Sequence, residues 1–332
     1  MRFANVVTGF AISAAVAIGT TACSMPGQNG SATNAATTDG AVVIGFSQAT
    51  QQSPFYVALS DAARQTAEGD GNQFYFADAN GDVTKQNNDV QDLITRGINV
   101  LVINPVDPKG IAPSLAAADA AGIKVVTVDR PVESGAAAFV GRDNKAMGEI
   151  VGEAAVAALG PAGGKIIEIQ GDAGGAVARD RHEGFAAAVA AQPNITVVPG
   201  PYSDYIRANA VTAMQDLLQA HPDLKAVYAQ NDDMALGALQ VLAENNRADV
   251  KVFGVDGLME AVRAIADGNE YVATALNDPN AEGTLAVQTA VKVARGEKVD
   301  EFIDAGTGLV DKSNAASLIG DTTFAKAPQP PA

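Results

Sequence analysis

Residues 92–108 read DLITRGINVLVINPVDP and hold the unit from which the rest of the chain is built. The stretch 83–95 ahead of them, with Asp82 in the N-cap position, reads as a helix. VLVI (100–103) is a short, continuously apolar run, the pattern of a strand covered on both faces. It ends on a polar residue, Asn104. Working outward, the same alternation recurs. Strand candidates precede it at AVVIGF (41–46) and QFYFA (73–77), and follow it at KVVTV (124–128), AAFV (137–140) and KIIEI (165–169). ITVV (195–198), KAVYA (225–229), VKVFGV (250–255) and YVATAL (271–276) continue the series. Helical patterns lie between them. In 206–220, Ala210, Val211, Met214, Leu217 and Leu218 recur at helical spacing and predict one buried stripe. Regular alternation of this kind predicts an α/β fold with parallel sheets and helices on both faces.

Polar residues gather where these strands end. Asn104 follows VLVI, Asp129 and Arg130 follow VVTV, Asn231 follows VYAQ and Asp256 follows VFGV. Open parallel sheets bind ligands at the carboxyl ends of their strands. Each residue taken singly is equally well read as a turn or helix cap. Their equivalent topological positions favour a shared site.

Composition narrows the function. The formal charge is −16, and removal of residues 1–22 takes away Arg2 and leaves −17. So acidic a surface repels nucleic acid. Trp is absent and aromatics are 5%, so aliphatic residues must fill the cores. Met1-Arg2 and the apolar stretch from Val6 to Ile18 read as an export signal over 1–22. Cys23, the single cysteine, stands directly after it and resembles the acylated cysteine of a bacterial lipobox, with Thr20 where Leu is usual. The alternative is an ordinary signal followed by a chance cysteine. Residues 23–40 read as a flexible tether and 321–332, ending APQPPA, as a disordered tail.

Several segments together carry a family likeness. AVVIGFSQATQQSPFYVAL, DLITRGINVLVINPVDP and GIKVVTVDRPV resemble the N-terminal lobe of periplasmic ribose-binding proteins. KIIEIQGDAGGAVARDRHEGFAAAV, HPDLKAVYAQNDDMALGAL and VKVFGVDG resemble the C-terminal lobe. These are type I solute-binding components of ABC sugar importers. The resemblance implies two Rossmann-like lobes joined by three crossing strands. It places the first lobe at 41–142 plus 278–305 and the second at 143–277 plus 306–320. It implies ligand contacts at Phe55, Tyr56, Asn104, Asp129, Arg130, Arg181, Tyr205, Asn231 and Asp256. Ser53 and Asn277 join them but depart from the family pattern, where Asn and Gln are usual, and Tyr56 replaces Phe. The sugar class follows from the likeness; ribose itself does not. The chemistry agrees: Asp129 and Asp256 only accept, Arg130 and Arg181 only donate, and Asn104 and Asn231 do both. The aromatic rings would cover the C–H faces of a sugar.

The resulting expectation is a binding protein, not an enzyme. It would be a monomeric lipoprotein on the extracytoplasmic face of the membrane. A pentose such as ribose and an ABC permease are its expected partners, with no cofactor and no metal. Another polyol, hexose or furanose is the alternative ligand. An exported glycosidase using Asp129 and Asp256 is disfavoured, because neighbouring arginines would depress both pKa values. A transcription regulator would need a helix-turn-helix ahead of the first strand, where 1–40 hold a signal and tether. The Asp78-Ala-Asn-Gly-Asp82 run resembles a calcium loop but has Val83 where the turn needs Gly. His182 and His221 have no ligand partners at metal spacing.

Overall fold

The computed structural model describes residues 40–327. The expected export signal, Cys23, most of the tether and residues 328–332 lie outside the described residues. All ten expected strands form. They are β1 (Val43–Gln48), β2 (Gln73–Asp78), β3 (Val100–Ile103), β4 (Lys124–Val128), β5 (Ala138–Gly141), β6 (Gly164–Gln170), β7 (Ile195–Tyr202), β8 (Leu224–Ala229), β9 (Lys251–Asp256) and β10 (Tyr271–Leu276). Two more, β11 (Phe302–Asp304) and β12 (Leu309–Asp311), carry no sequence signal because three residues are too few for periodicity to register.

The helices are α1 (Pro54–Gly69), α2 (Val83–Thr95), α3 (Ala112–Ala120), α4 (Asn144–Leu159), α5 (Ala176–Val189), α6 (Arg207–Ala220), α7 (Asp232–Glu244), α8 (Met259–Asp267), α9 (Pro279–Ala294) and α10 (Ala315–Leu318). Asp82 does cap α2, its side chain accepting from the amides of Thr84 and Lys85. Asp89 is held by Lys85 at 2.7 Å, so the calcium-like run is a strand-to-helix turn. The stripe expected on α6 is narrower than its pattern: Ala210 and Met214 are buried, whereas Val211, Leu217 and Leu218 are half-buried.

The strands make two six-stranded sheets, ordered β2-β1-β3-β4-β5-β11 and β7-β6-β8-β9-β10-β12. Adding five to each of the first five strand numbers of one sheet gives the other. Every pairing is parallel except β10 with β12. In each sheet the winding reverses beside the first strand, at β1/β3 and β6/β8. That reversal opens a crevice at the carboxyl ends. All four residues of β3 are fully buried, as expected for a strand covered on both faces.

The chain passes between the sheets three times. From β5 it enters α4, which packs on α5, β9 and β10. From β10 it enters α9, which packs back on α1, β3, β4 and β5. From β11 it crosses to β12. Arg142 ties the three passages together. Its Nε donates to the Gly306 carbonyl (2.6 Å), Nη1 to Asn277 Oδ1 (2.7 Å) and Nη2 to the Asp278 carbonyl (2.8 Å). Nη1 also pairs with the buried carboxylate of Glu282.

The C-terminal tail departs from expectation. Residues 321–327 are not disordered: Phe324 is 1% exposed, and Ala325 and Ala327 are buried. One aromatic and two small apolar residues anchor the segment before the proline-rich end begins at Pro328.

Candidate functional site

The crevice between the two sheets narrows to a small, partly enclosed cavity. Nine of the eleven sequence-predicted residues line it: Ser53, Phe55, Tyr56, Asp129, Arg181, Tyr205, Asn231, Asp256 and Asn277. Arg130 lines the adjoining mouth together with Ser53, Tyr56 and Tyr205. Asn104 lines neither; it sits beneath Asp129, donating from Nδ2 to Asp129 Oδ2 at 3.2 Å.

On the first sheet's side, Ser53 is the N-cap of α1, and its Oγ accepts from the Phe55 amide at 3.3 Å. Capping there sends Phe55 and Tyr56 into the first helical turn, both 5% exposed. The Tyr56 hydroxyl accepts from Arg130 Nη2 at 2.7 Å, and Arg130 Nη1 donates to the Pro105 carbonyl at 3.0 Å. Arg130 is thereby fixed from two directions before any ligand arrives. Asp129 has a φ of +63°, in the left-handed region that non-glycine residues rarely occupy.

On the second sheet's side, Arg181 projects from α5. Gly148 on α4 and Gly184 on α5 let these helices touch backbone to backbone; a Cβ at Gly148 would fall 2.3 Å from the Arg181 carbonyl. Arg181 then donates from Nε to Asn144 (2.9 Å) and lies 3.9 Å from Asp256. Asn231 is the N-cap of α7. Its Oδ1 accepts from the Met234 amide (2.9 Å) and its Nδ2 donates to the Tyr205 carbonyl (3.2 Å), so much of its capacity is structural. Asp256 stands at φ +133°, where the turn after β9 begins. Asp232 holds that turn, its carboxylate accepting from the Leu258 amide, the Tyr271 hydroxyl and the Thr274 hydroxyl. Asn277 Nδ2 donates to Asp256 Oδ1 at 3.0 Å. Strain of this kind at two acids in one cavity is a mark of a functional site.

Burial dominates the electrostatics here. It pushes the carboxyls of Asp129 and Asp256 above the usual carboxylate range, although Arg130 and Arg181 pull the other way. The sequence-based expectation of depressed values is therefore corrected. The nearest guanidinium nitrogens stand 3.8 and 3.9 Å away, too far for tight pairing to offset desolvation. The Tyr56 and Tyr205 hydroxyls are likewise raised by burial and stay protonated at neutral pH.

Three residues escaped the sequence reading. Val177 lines the cavity. Asp172 faces Arg130 across the crevice, its Oδ2 3.4 Å from Nη2. Arg142 fixes the Asn277 amide from behind. Asp172 obeys the strand-end rule used for the others, since it follows KIIEIQG. Among the described residues, buried polar atoms without hydrogen-bond partners include Asp172 Oδ1 and the Tyr205 hydroxyl at the crevice and Asn104 Oδ1 beneath Asp129. Buried polar groups are rarely left unpaired, so the two at the crevice are candidates for hydrogen bonds to a ligand.

The sequence profile of the periplasmic binding protein domain matches residues 44–298. The chain belongs to the periplasmic binding protein family. It is 39% identical over 264 residues to the ribose import binding protein of Escherichia coli K12, covering 79% of this chain and 88% of that one. It is 29% identical over 301 residues to the xylitol-binding protein of Mycolicibacterium smegmatis, covering 90% and 83%. A crystal structure of an ABC transporter solute binding protein from Mycobacterium smegmatis with bound glycerol superposes with a TM-score of 0.85. That protein is 82% identical, with 86% of this chain and 99% of that one covered. Members of this family are solute-binding proteins. Their type I architecture is the one described above. Among the described residues, no helix is long and apolar enough to cross a membrane.

Proposed function

We propose that this protein is the extracytoplasmic sugar receptor of an ABC importer. It binds a neutral monosaccharide between its lobes and delivers it to the permease; ribose or a similar pentose is the first candidate. The observation that carries this reading is the convergence of nine predicted strand-end and helix-start residues on one small cavity between two sheets. Asp129, Asp172 and Asp256 face Arg130 and Arg181, so acids outnumber bases and an anionic ligand is disfavoured. Carboxylates accept, guanidinia donate and Tyr205 does both, which together suit a ring of hydroxyls. Phe55 and Tyr205 bring aromatic rings to the same cavity. The lobe boundaries fall in this reading at Arg142/Asp143, Asn277/Asp278 and Ala305/Gly306. The closed arrangement is favoured by ligand because only that arrangement contacts it from both sides. The site binds without turnover, and the protein acts as a monomer.

Isothermal titration with pentoses, hexoses and linear polyols tests the reading. At least one pentose is expected to bind with micromolar or tighter affinity. Silence across the whole panel would remove the proposal, and tightest binding of a linear polyol would redirect it to that class.

Acylation of Cys23 would hold the receptor at the membrane through a tether of about 17 residues, with a mean span of about 20–25 Å. Cys23→Ser is expected to move the protein from the membrane fraction to the soluble fraction. Retention in the membrane fraction would mean that the anchor is something else.

A further inference from the structure

We propose that residues 321–327 form a strap that holds the two walls of the cavity in register, with Phe324 as a positioning residue for Phe55. This inference rests on the sugar-receptor reading. The strap is bonded to one side by backbone. The Met259 amide donates to the Thr323 carbonyl and the Ala325 amide to the Gly257 carbonyl, each at 2.8 Å. Leu258 and Phe324 thus form an antiparallel bridge directly after Asp256. Arg263 adds a bond to the Gly320 carbonyl at 3.0 Å.

The strap is bonded to the other side by a ring. Phe324 meets Phe55 edge to face, with centroids 6.1 Å apart and planes at 88°. Phe55 belongs to α1, which packs on the first sheet; it also meets Tyr56 edge to face and lines the cavity. One short segment therefore touches the polar wall within two residues of Asp256 and backs the aromatic wall at Phe55. It lies beyond residues 44–298, the part matched by the family profile.

The consequence is mechanical. Two backbone bonds fix the strap to the Gly257–Met259 turn, so Phe324 must follow the second sheet when the lobes part. Opening then strips Phe324 from Phe55 and exposes apolar surface on both. That contact exists only in the closed arrangement, so it raises the closed population and with it the apparent affinity. An edge-to-face pair of this kind changes affinity by about tenfold.

The test compares the wild type with Phe324→Ala, Phe324→Leu and a truncation after Gly320. The ligand is whichever sugar of the panel the wild type binds best. Phe324→Ala and the truncation are expected to bind about tenfold more weakly through faster dissociation, and Phe324→Leu to retain most of the affinity. Amide hydrogen exchange is expected to rise at 55–59 and 257–259 and not elsewhere. A synthetic peptide of residues 313–327 is expected to restore affinity to the truncated protein. Unchanged affinity together with unchanged exchange at the two segments would overturn the strap. So would a rise in exchange spread through the whole second sheet, which marks a merely structural role. If the wild type binds no sugar, the receptor reading falls, and the exchange pattern at the two segments still decides the strap.

Discussion

Replacing Arg142 with alanine is expected to lower the unfolding free energy by about 3–5 kcal/mol. At the size of this chain that is a fall in Tm of roughly 10 °C. Arg142 is buried, and its side chain donates to Gly306, Asn277 and Asp278 while pairing with Glu282. Alanine leaves the Glu282 carboxylate, 1% exposed, with no counter-charge. Breaking one half of a buried pair costs more than the pair contributes, because the survivor remains desolvated. The loss also has a pH signature. Burial already pushes the Glu282 carboxyl above its ordinary value while Arg142 pulls it down. Without Arg142 the folded-state pKa rises further above the unfolded one. Below the wild-type folded value of about 8 both folded proteins keep the carboxyl protonated, so the extra deficit of the mutant opens as pH rises through about 8 and beyond. Urea denaturation of wild type and mutant at pH 6, pH 8 and pH 10 measures both effects. A loss below about 1 kcal/mol at pH 8 would show that the three crossings do not depend on this side chain. Arg142→Met combined with Glu282→Met is expected to recover much of the stability, because no buried charge is then left alone.

The fold was legible because its strands are long enough and its order regular enough. Runs such as VLVI (100–103) and AVYA (226–229) are continuously apolar, and each is buried in the structure. What was not legible has short range or no periodicity. β11 and β12 are three residues each, and they enter their sheets only because the crossings deliver them there. The strap failed to register for a different reason. Asp321-Thr-Thr-Phe324 is flanked by glycine and proline-rich sequence that reads as loop. Its order comes from tertiary contacts, the backbone bonds to Gly257 and Met259 together with the placement of Phe324 against Phe55.

The site was legible to the extent that topology orders it. Strand ends in parallel sheets converge, so Asp129, Asn231 and Asp256 could be named together without knowing a distance. Phe55 and Tyr56 needed the family likeness, since an aromatic pair at a helix start reads more readily as core. The division of labour within the site was not legible. Nothing in the spacing says that Asn231 is occupied as a helix cap or that Asn104 lies below Asp129. Nor does it say that Asn277 is gripped from behind by Arg142. Burial was misjudged as well. Arginines neighbouring the acids suggested low carboxylate pKa values, but the separations near 4 Å leave desolvation in control.

Asp256→Ala is expected to weaken sugar binding by about 2–5 kcal/mol, roughly 30- to 4,000-fold. The carboxylate is 4% exposed and faces Arg181 and Asn277, two donors that alanine cannot satisfy. A sugar hydroxyl that gave its proton to Asp256 loses its only acceptor there, and the donors left behind compete for the same lone pairs. Arg130→Ala is expected to fall in the same range, because it frees the Tyr56 hydroxyl and leaves Asp172 unpaired opposite Asp129. The two mutants should part company in stability. Burial opposes ionisation of Asp256, so alanine relieves a desolvated charge within a turn that Asp232 still holds, but it keeps the strained φ of +133° and leaves the buried Arg181 without its nearest carboxylate. Because these effects oppose one another, its unfolding free energy is expected to change little at pH 7 while binding is lost. Arg130→Ala, which uncovers Asp172 and breaks the bond to Pro105, is expected to lose both. Titration calorimetry paired with denaturation separates the cases. Wild-type affinity in both mutants would mean that the ligand sits elsewhere. Lost stability in Asp256→Ala would mean that its carboxylate supports the turn after β9 as much as the ligand.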